Sequence, residues 1–516
     1  MAQGAKNNLT TFDLNATRVQ ALRALVGDLP AVLPLSDSHD ELPMALSLED
    51  RHIEAGHAGV AICKRLPHLA CLDFLGYLGT ERHWSGGKHR LDANKAISHV
   101  FSHIQTVVGN AGGVFLSVPA YLNDDQRHVL AQIAEKARWQ LLGTIKTSLA
   151  AALAAHAEQA WAGLALILDA DDYALTVSAV VGGDGYAQLL GTQSFPRLGM
   201  RAWKDRLLDA IALRCVRQSR RDPRDSAIAE QSLYDQLDGM LDNCRRGVLA
   251  DIVIRTENWC QNLLMKPDDL ADVSLPLVRQ VVEEMHSLEE GMTEHGPPTL
   301  IGLTFSASLL PGLLPALEEA FPPPGPRAIA EPISSDDFGE GLLGDSSEDF
   351  GHNLVEIEPI ETMSVLVLPP DAPIRAAYEV AARVHRQELP RGPVNVAPLP
   401  APVPVDSGPV RLKFNRHDHM LGSQPFTLGR HPNCDLIFDS SQHPTVSAYH
   451  CEIISERGSF ILRDHSRNGT LINDRPVIGE LPLRAGDWIR LGPAGPLLRF
   501  LGKPVDQRKN WSVVRG

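Results

Sequence analysis

Between Leu389 and Gly408 the chain reads LPRGPVNVAPLPAPVPVDSG. Its six prolines in twenty residues exclude a helix interior or a central strand, because each ring fixes φ and removes an amide donor. Proline at this density makes an extended, semi-rigid spacer. The 516-residue chain is therefore expected to fold as unlike units on a tether: a body over residues 9–388, a spacer over 389–408 and a C-terminal unit over 409–503.

The C-terminal unit reads as all-β. Short apolar runs at Val410–Phe414, Phe426–Leu428, Leu436–Phe438, Cys451–Ile454, Phe460–Leu462, Thr470–Ile472, Trp488–Leu491 and Leu497–Leu501 alternate with turn residues. They alternate with His431-Pro432-Asn433, Arg457-Gly458, Asn473-Asp474 and Ala485-Gly486-Asp487, the pattern of a β-sandwich. Three signatures fall in the loops: Gly429-Arg430, Ser447-x-x-His450 and Ser466-Arg467-Asn468-Gly469-Thr470. Arg430 offers a planar fork of donors for a dianionic phosphate, Ser447 a hydroxyl and Asn468 an amide.

These signatures, with the closing run Leu483-Arg484-Ala485-Gly486-Asp487-Trp488-Ile489-Arg490-Leu491-Gly492, closely resemble the forkhead-associated (FHA) family over about residues 409–503. The resemblance implies capture of phosphothreonine peptides. Arg430 and Ser447 would hold the phosphate and Asn468 the peptide main chain. His450 would brace the loop bearing Ser447, and Gly429, Gly469 and Thr470 would shape the site. Many family members place a basic residue directly after the serine; here Ala448 and Tyr449 follow, and Arg467 is expected to supply the missing charge.

Charge divides the chain the same way. Residues 409–516 carry 15 Lys and Arg against 10 Asp and Glu, a net of +5, and the rest carries 33 against 53, a net of −20. A basic reader suits an anionic ligand, and the acidic body speaks against nucleic acid. No apolar run is long enough to cross a bilayer, and the first residues lack a signal-peptide core. Seven scattered cysteines without a C-x-x-C pair argue for a reducing cytoplasm, and the cytoplasm is expected to be of bacterial type.

In the body, Val114–Val118 reads as a buried strand and residues 125–139 as a helix capped by Asp124 or Asp125. Leu141–Ile145 reads as a second strand and Leu149–His156 as a second helix. This alternation predicts an α/β architecture with parallel pairing. Val118-Pro119-Ala120-Tyr121-Leu122-Asn123-Asp124-Asp125-Gln126-Arg127 resembles a string in the ATPase domain of DnaK-type, seventy-kilodalton heat-shock chaperones. Weaker echoes follow in order at Phe12–Thr17, Ile167–Tyr173, Leu198–Trp203 and Leu300–Thr304. The resemblance implies an actin-like fold of two lobes around a nucleotide cleft.

The phosphoryl-transfer groups of that family are largely missing. Asp171, Asp172 and Tyr173 replace glycines of the second phosphate loop, where their carboxylates would repel a triphosphate, and Asn15 and Ala16 stand in the first. Thr147 falls where the family has a glutamate, Leu75 near its lysine, and Arg201 and Ala202 where it has glutamate and aspartate. Asp13 and Asp169 remain, and Asp242-Asn243-Cys244-Arg245-Arg246 resembles a helix that clamps adenosine, so Asp13, Asp169, Arg245 and Arg246 are the cofactor-binding candidates.

Hydrolysis needs close backbone approach to the phosphates and a full Mg²⁺ and water-positioning set. The expectation is accordingly a pseudo-ATPase without ATP, Mg²⁺ or other cofactor. His99 and His103 share a helix face without a third ligand, so no metal site is expected. An acidic insertion over about 322–352 contains the duplicated phrase Ser334–Gly339 and Ser346–Gly351. Together these features predict a non-enzymatic signalling adaptor that docks on a Ser/Thr kinase or its phosphorylated substrate. The alternative is a nucleotide-dependent chaperone or actin-like switch targeted by its FHA domain.

Overall fold

Strand β1 (Asn8–Leu14) is buried at six successive positions, the profile of a central strand covered on both faces. In the computed structural model the described residues are 8–322, 363–400 and 410–501. Excluded within them are 26–29, 37–39, 110, 257, 415–416, 423, 441–442, 457–458, 473–474, 478, 484–486 and 493–494. The acidic insertion beyond Pro322, with its duplicated phrase, lies outside the described residues.

β1 runs antiparallel to β2 (Arg18–Leu25), which runs antiparallel to β3 (Ala31–Val32). On its other side β1 pairs in parallel with β4 (Gly113–Val118), and β4 with β5 (Gln140–Lys146). A second sheet repeats this order. β6 (Gly163–Ala170), β7 (Leu175–Gly183) and β8 (Tyr186–Phe195) form an antiparallel meander. β9 (Pro298–Leu303) pairs in parallel with β6, and β10 (Ser364–Val367) with β9. Both sheets therefore read third, second, first, fourth, fifth in strand order.

Between the sheets lies the helix Thr147–Glu158, buried at every residue from Thr147 to His156. Its alanine run explains this: small side chains let one helix touch packed neighbours on all faces. It shares a core with Leu9, Phe115, Ile167 and Leu300 of the two sheets and with Ala377 and Ala381 of the helix Ala372–His385. The helix expected at 125–139 spans Asp124–Lys136, and its cap is Asn123, in a reciprocal capping box with Gln126. None of the helices among the described residues is long and apolar enough to cross a membrane.

The proline-rich stretch departs from expectation. Its first half belongs to the body: β11 (Gly392–Val394) lies parallel to β5 and β12 (Val396–Pro398) antiparallel to β8. Both strands are edge strands, where a missing amide donor is tolerated, so Pro393 and Pro398 fit. Gly143 of β5 allows the approach, since a Cβ there would lie 2.3 Å from the Gly392 carbonyl oxygen. Seven residues thus span from one sheet to the other, and the body runs to about residue 400, not 388.

The C-terminal unit is a sandwich of two sheets. One holds Arg411–Phe414, His417–Met420, Thr470–Ile472, Arg475–Pro476, Trp488–Leu491 and Leu497–Leu501; the other holds Phe426–Gly429, Leu436–Ile437, Cys451–Glu456, Ser459–Asp464 and Glu480–Leu483. Leu412, Leu428, Ile453, Leu462, Ile489 and Leu498 fill the space between them. All eight apolar runs fall on strands. The pattern missed His417–Met420, which is polar, the two-residue Arg475–Pro476, and Glu480–Leu483, which contains Pro482; each lies at a sheet edge.

Ala397 is fully buried, so Ala397→Asp places an unpaired charge in the joint between the sheets. A thermal melt of the full chain should show the body destabilised by about 3 kcal/mol or more. A free spacer at this position would leave the melt unchanged.

Candidate phosphate-binding site

Gly429 closes the strand Phe426–Gly429 because a side chain cannot fit there: a Cβ would lie 2.1 Å from the Ala448 carbonyl oxygen. That close approach carries two backbone bonds, from Arg430 N–H to the Ser447 carbonyl (3.1 Å) and from His431 N–H to the Ala448 carbonyl (2.9 Å). The loop bearing Arg430 and the loop bearing Ser447 are thereby laced side by side. The Arg430 side chain is exposed and has no partner among the described residues.

Ser447 is held from two directions. Its amide donates to His450 Nδ1 at 2.9 Å, and its Oγ accepts the Arg467 amide at 3.1 Å. Because Oγ is the acceptor in that bond, its own proton stays available for a ligand oxygen. His450 is fully buried. Its amide donates to the Leu428 carbonyl and its carbonyl accepts from His465, which ties the Ser447 loop to its neighbours. Burial pushes its pKa below the ordinary imidazole value, against the opposing Asp464 charge and Gly469 backbone. The ring is thus neutral near pH 7, with its proton on Nε2 because Nδ1 is the acceptor.

The third loop hangs on Asp464, which the sequence reading did not single out. Its carboxylate accepts the Ser466 amide (3.1 Å), the Thr470 hydroxyl (2.7 Å) and the Thr470 amide (3.3 Å). The cue was present: an acidic residue two positions before a Ser-Arg-Asn-Gly-Thr turn suits an Asx-type loop brace. Thr470 is fully buried, and Gly469 takes φ of 78°, a left-handed conformation that costs glycine nothing. Exposed Asn468 donates through Nδ2 to the Thr445 carbonyl at 2.7 Å. One amide hydrogen is therefore committed within the protein, and Oδ1 and the second hydrogen remain for a peptide backbone. Arg467 is exposed, and its amide donates to Ser447 Oγ.

The body's candidates are committed inward. Asp13 is buried beside Ser117 and Thr147, and burial raises its pKa against the Arg18 charge. Asp169 accepts from the Thr304 hydroxyl at 2.8 Å. Burial first, then the Asp171 charge, push it up to about 7. Asp171 and Asp172 do not face an open cleft. Asp171 accepts the Ala16 amide (2.8 Å), the Tyr121 hydroxyl (2.7 Å), the Tyr173 amide (3.0 Å) and the Ala174 amide (2.9 Å). Burial still raises its pKa to about 6, opposed by the Ala16 and Ala174 amides and the Tyr121 hydroxyl.

Asp172 pairs with Lys204 at 3.5 Å, and Arg201 pairs with Asp73. Beside them remains a cavity of about 20 Å³ lined by Ala16, Thr17, Asp172, Arg201, Tyr234 and neighbours, room for about one water. Arg245 and Arg246 both pair with Asp242 on their own helix. The Arg245 guanidinium also lies over the Phe305 ring at 4.7 Å, so protein already occupies a face on which a base could stack. Among the described residues no group of three or more His, Cys, Asp or Glu could hold a metal ion.

The family model of the FHA domain matches residues 426–492, which hold all three signatures. The E3 ubiquitin-protein ligase CHFR of Mus musculus and that of Homo sapiens are each 38% identical to this chain over 76 residues. That of Xenopus tropicalis is 41% identical over 73 residues. These stretches cover 13–14% of this chain and 11% of each relative, so the likeness is confined to one small module. The C-terminal unit contains an FHA domain, and FHA domains bind phosphothreonine-containing proteins through arginine-bearing loops.

The two units should respond to pH in opposite directions. The depressed His450 pKa gives the sandwich stability that is present above about pH 6.5, the unfolded value, and is lost as pH falls through the folded value. The raised Asp169 and Asp171 values give the body stability that is present below about pH 4 and lost as pH rises through about 6 to 7. Calorimetric melts between pH 5 and 8 should show one transition moving up and the other down. His450→Gln should flatten the first slope only.

Proposed function

We propose that the chain is a phosphothreonine-reading signalling adaptor. Its C-terminal FHA domain docks on a Ser/Thr kinase or on a protein such a kinase has phosphorylated. The observation that carries this reading is the contrast among the loop residues. The backbone amides of Arg430, Ser447 and Arg467 all bond within the loops, whereas two guanidinium groups and one hydroxyl proton are left for a ligand. At neutral pH phosphothreonine carries roughly −1.5 to −2 charges, which this cationic set complements. Arg467 takes the place of the basic residue absent at Ala448.

For the body we propose a degenerate, actin-like relative of the chaperone ATPases that neither binds nor hydrolyses nucleotide and serves as a second interaction surface. The repeated strand order of its sheets and the chaperone-like string at 118–127 support the kinship. The inward-bonded Asp171, the Asp172–Lys204 pair and the cavity of about 20 Å³ support the loss of the nucleotide. Joining two binders on one chain raises the effective concentration of the second. Seven free cysteines support placing the protein in a reducing cytoplasm.

Fluorescence anisotropy with a phosphothreonine peptide library tests the reading. The full chain should bind phosphothreonine peptides and ignore their unphosphorylated forms. Arg430→Ala should weaken binding by about thirty-fold or more, the loss of a charge-assisted bidentate contact. Equal binding by wild type and Arg430→Ala would sink it.

A further inference from the structure

One step outward from the laced phosphate loops stands a pair of rings. His431 directly follows Arg430, and Tyr449 lies two residues past Ser447. Their rings stack with centroids 4.6 Å apart and planes 25° from parallel. His431 Nδ1 accepts the Tyr449 hydroxyl at 2.8 Å and the Asn433 amide at 3.2 Å. The Asn433 N–H can only donate, which makes Nδ1 the acceptor and the tyrosine the donor. The polar end of Tyr449 is thus satisfied inside the domain, yet the residue is 49% exposed. One ring face is covered by His431, and what Tyr449 offers outward is apolar ring held in a fixed orientation.

Resting on the phosphopeptide reading, we propose that the Tyr449–His431 stack is a specificity subsite that takes an aromatic side chain of the peptide flanking the phosphothreonine. The backbone ladder between Arg430–His431 and Ser447–Ala448 fixes the platform against the phosphate donors, so one peptide can engage both. A fixed ring costs little entropy to use, and ring–ring contact favours binding beyond the area it covers. The setting argues against a cationic guest. Arg430 directly precedes His431, so a Lys or Arg of the peptide would meet a like charge where a neutral ring does not. In this domain the aromatic pair stands beside the position where many related domains carry a basic residue, so part of the recognition passes from charge to ring stacking.

The test uses the full chain and phosphothreonine peptides in a neutral background, each flanking position being varied in turn as Ala, Leu, Phe or Arg. Wild type should bind the Phe peptide at one position about three- to ten-fold more tightly than its Ala, Leu and Arg counterparts. Tyr449→Ala should abolish that ratio while binding the Ala peptide within about two-fold of wild type, which also reports that the variant is folded. Tyr449→Phe should keep most of the preference, because the ring remains. A wild-type profile with no preference for Phe, or one favouring Arg, would overturn the proposal, as would an unchanged Phe preference in Tyr449→Ala. If the wild type binds none of the phosphothreonine peptides, or Arg430→Ala binds them equally well, the phosphopeptide reading itself fails and takes this subsite with it.

Discussion

Asp171 stands at the join between the two sheets of the body, just past the end of β6. Its carboxylate reaches Ala16 N–H in the turn between β1 and β2 and the Tyr121 hydroxyl after β4, while Tyr173 and Ala174 of its own loop cap the other oxygen. Burying a carboxylate is costly unless its lone pairs are filled; here four donors fill them. Hydrogen bonds to charged groups contribute about 1.5–3 kcal/mol each, so removing this one side chain would leave donors from both halves unsatisfied at once. The rest of the joint depends on it. Tyr173 packs against Tyr77 and Tyr121, and Gly76 makes room, since a Cβ there would lie 2.6 Å from the Tyr173 ring.

Around this carboxylate ionic groups pair within the second half and across the joint. Lys204 bridges Asp172 and Asp238, Arg201 meets Asp73, and Lys64 meets Asp205. Gln231 accepts the Lys64 amide and donates to the Val60 carbonyl. These pairs tie the groups to one another, while Asp73 Oδ1 is buried without a hydrogen-bond partner among the described residues. The FHA domain shows the reverse economy. Asp464, His450 and the backbone of Gly429 use hydrogen bonds in shaping three loops, and Arg430, Arg467 and the Ser447 proton are left for the proposed ligand. The two halves differ in where their polar capacity is spent.

Much of this was legible in the sequence, because it depends on local pattern. Eight apolar runs between turn residues located eight strands of the sandwich, and the spacing of Arg430, Ser447 and Asn468 placed them in neighbouring loops. In the body, Val114–Val118 and the chaperone-like string located a strand, a capped helix and the strand after it. What escaped depends on partners distant in the chain. Asp171 looked like a carboxylate aimed at phosphate because its first partner, Ala16, lies 155 residues away. The proline-rich stretch looked like pure spacer because edge pairing with β5 and β8 leaves no apolar periodicity to read. Asp464 was passed over because its role is to accept from a turn already recognised by other residues.

The central claim is that capture of phosphothreonine, and not turnover of nucleotide, is the activity of this chain. Titration calorimetry of the full-length protein with Mg-ATP, paired with a phosphate-release assay, tests it most directly. The account predicts no binding heat and no release of phosphate, from a sample that does give heat with a phosphothreonine peptide. Micromolar binding of Mg-ATP with measurable turnover would contradict it and make the body a working engine.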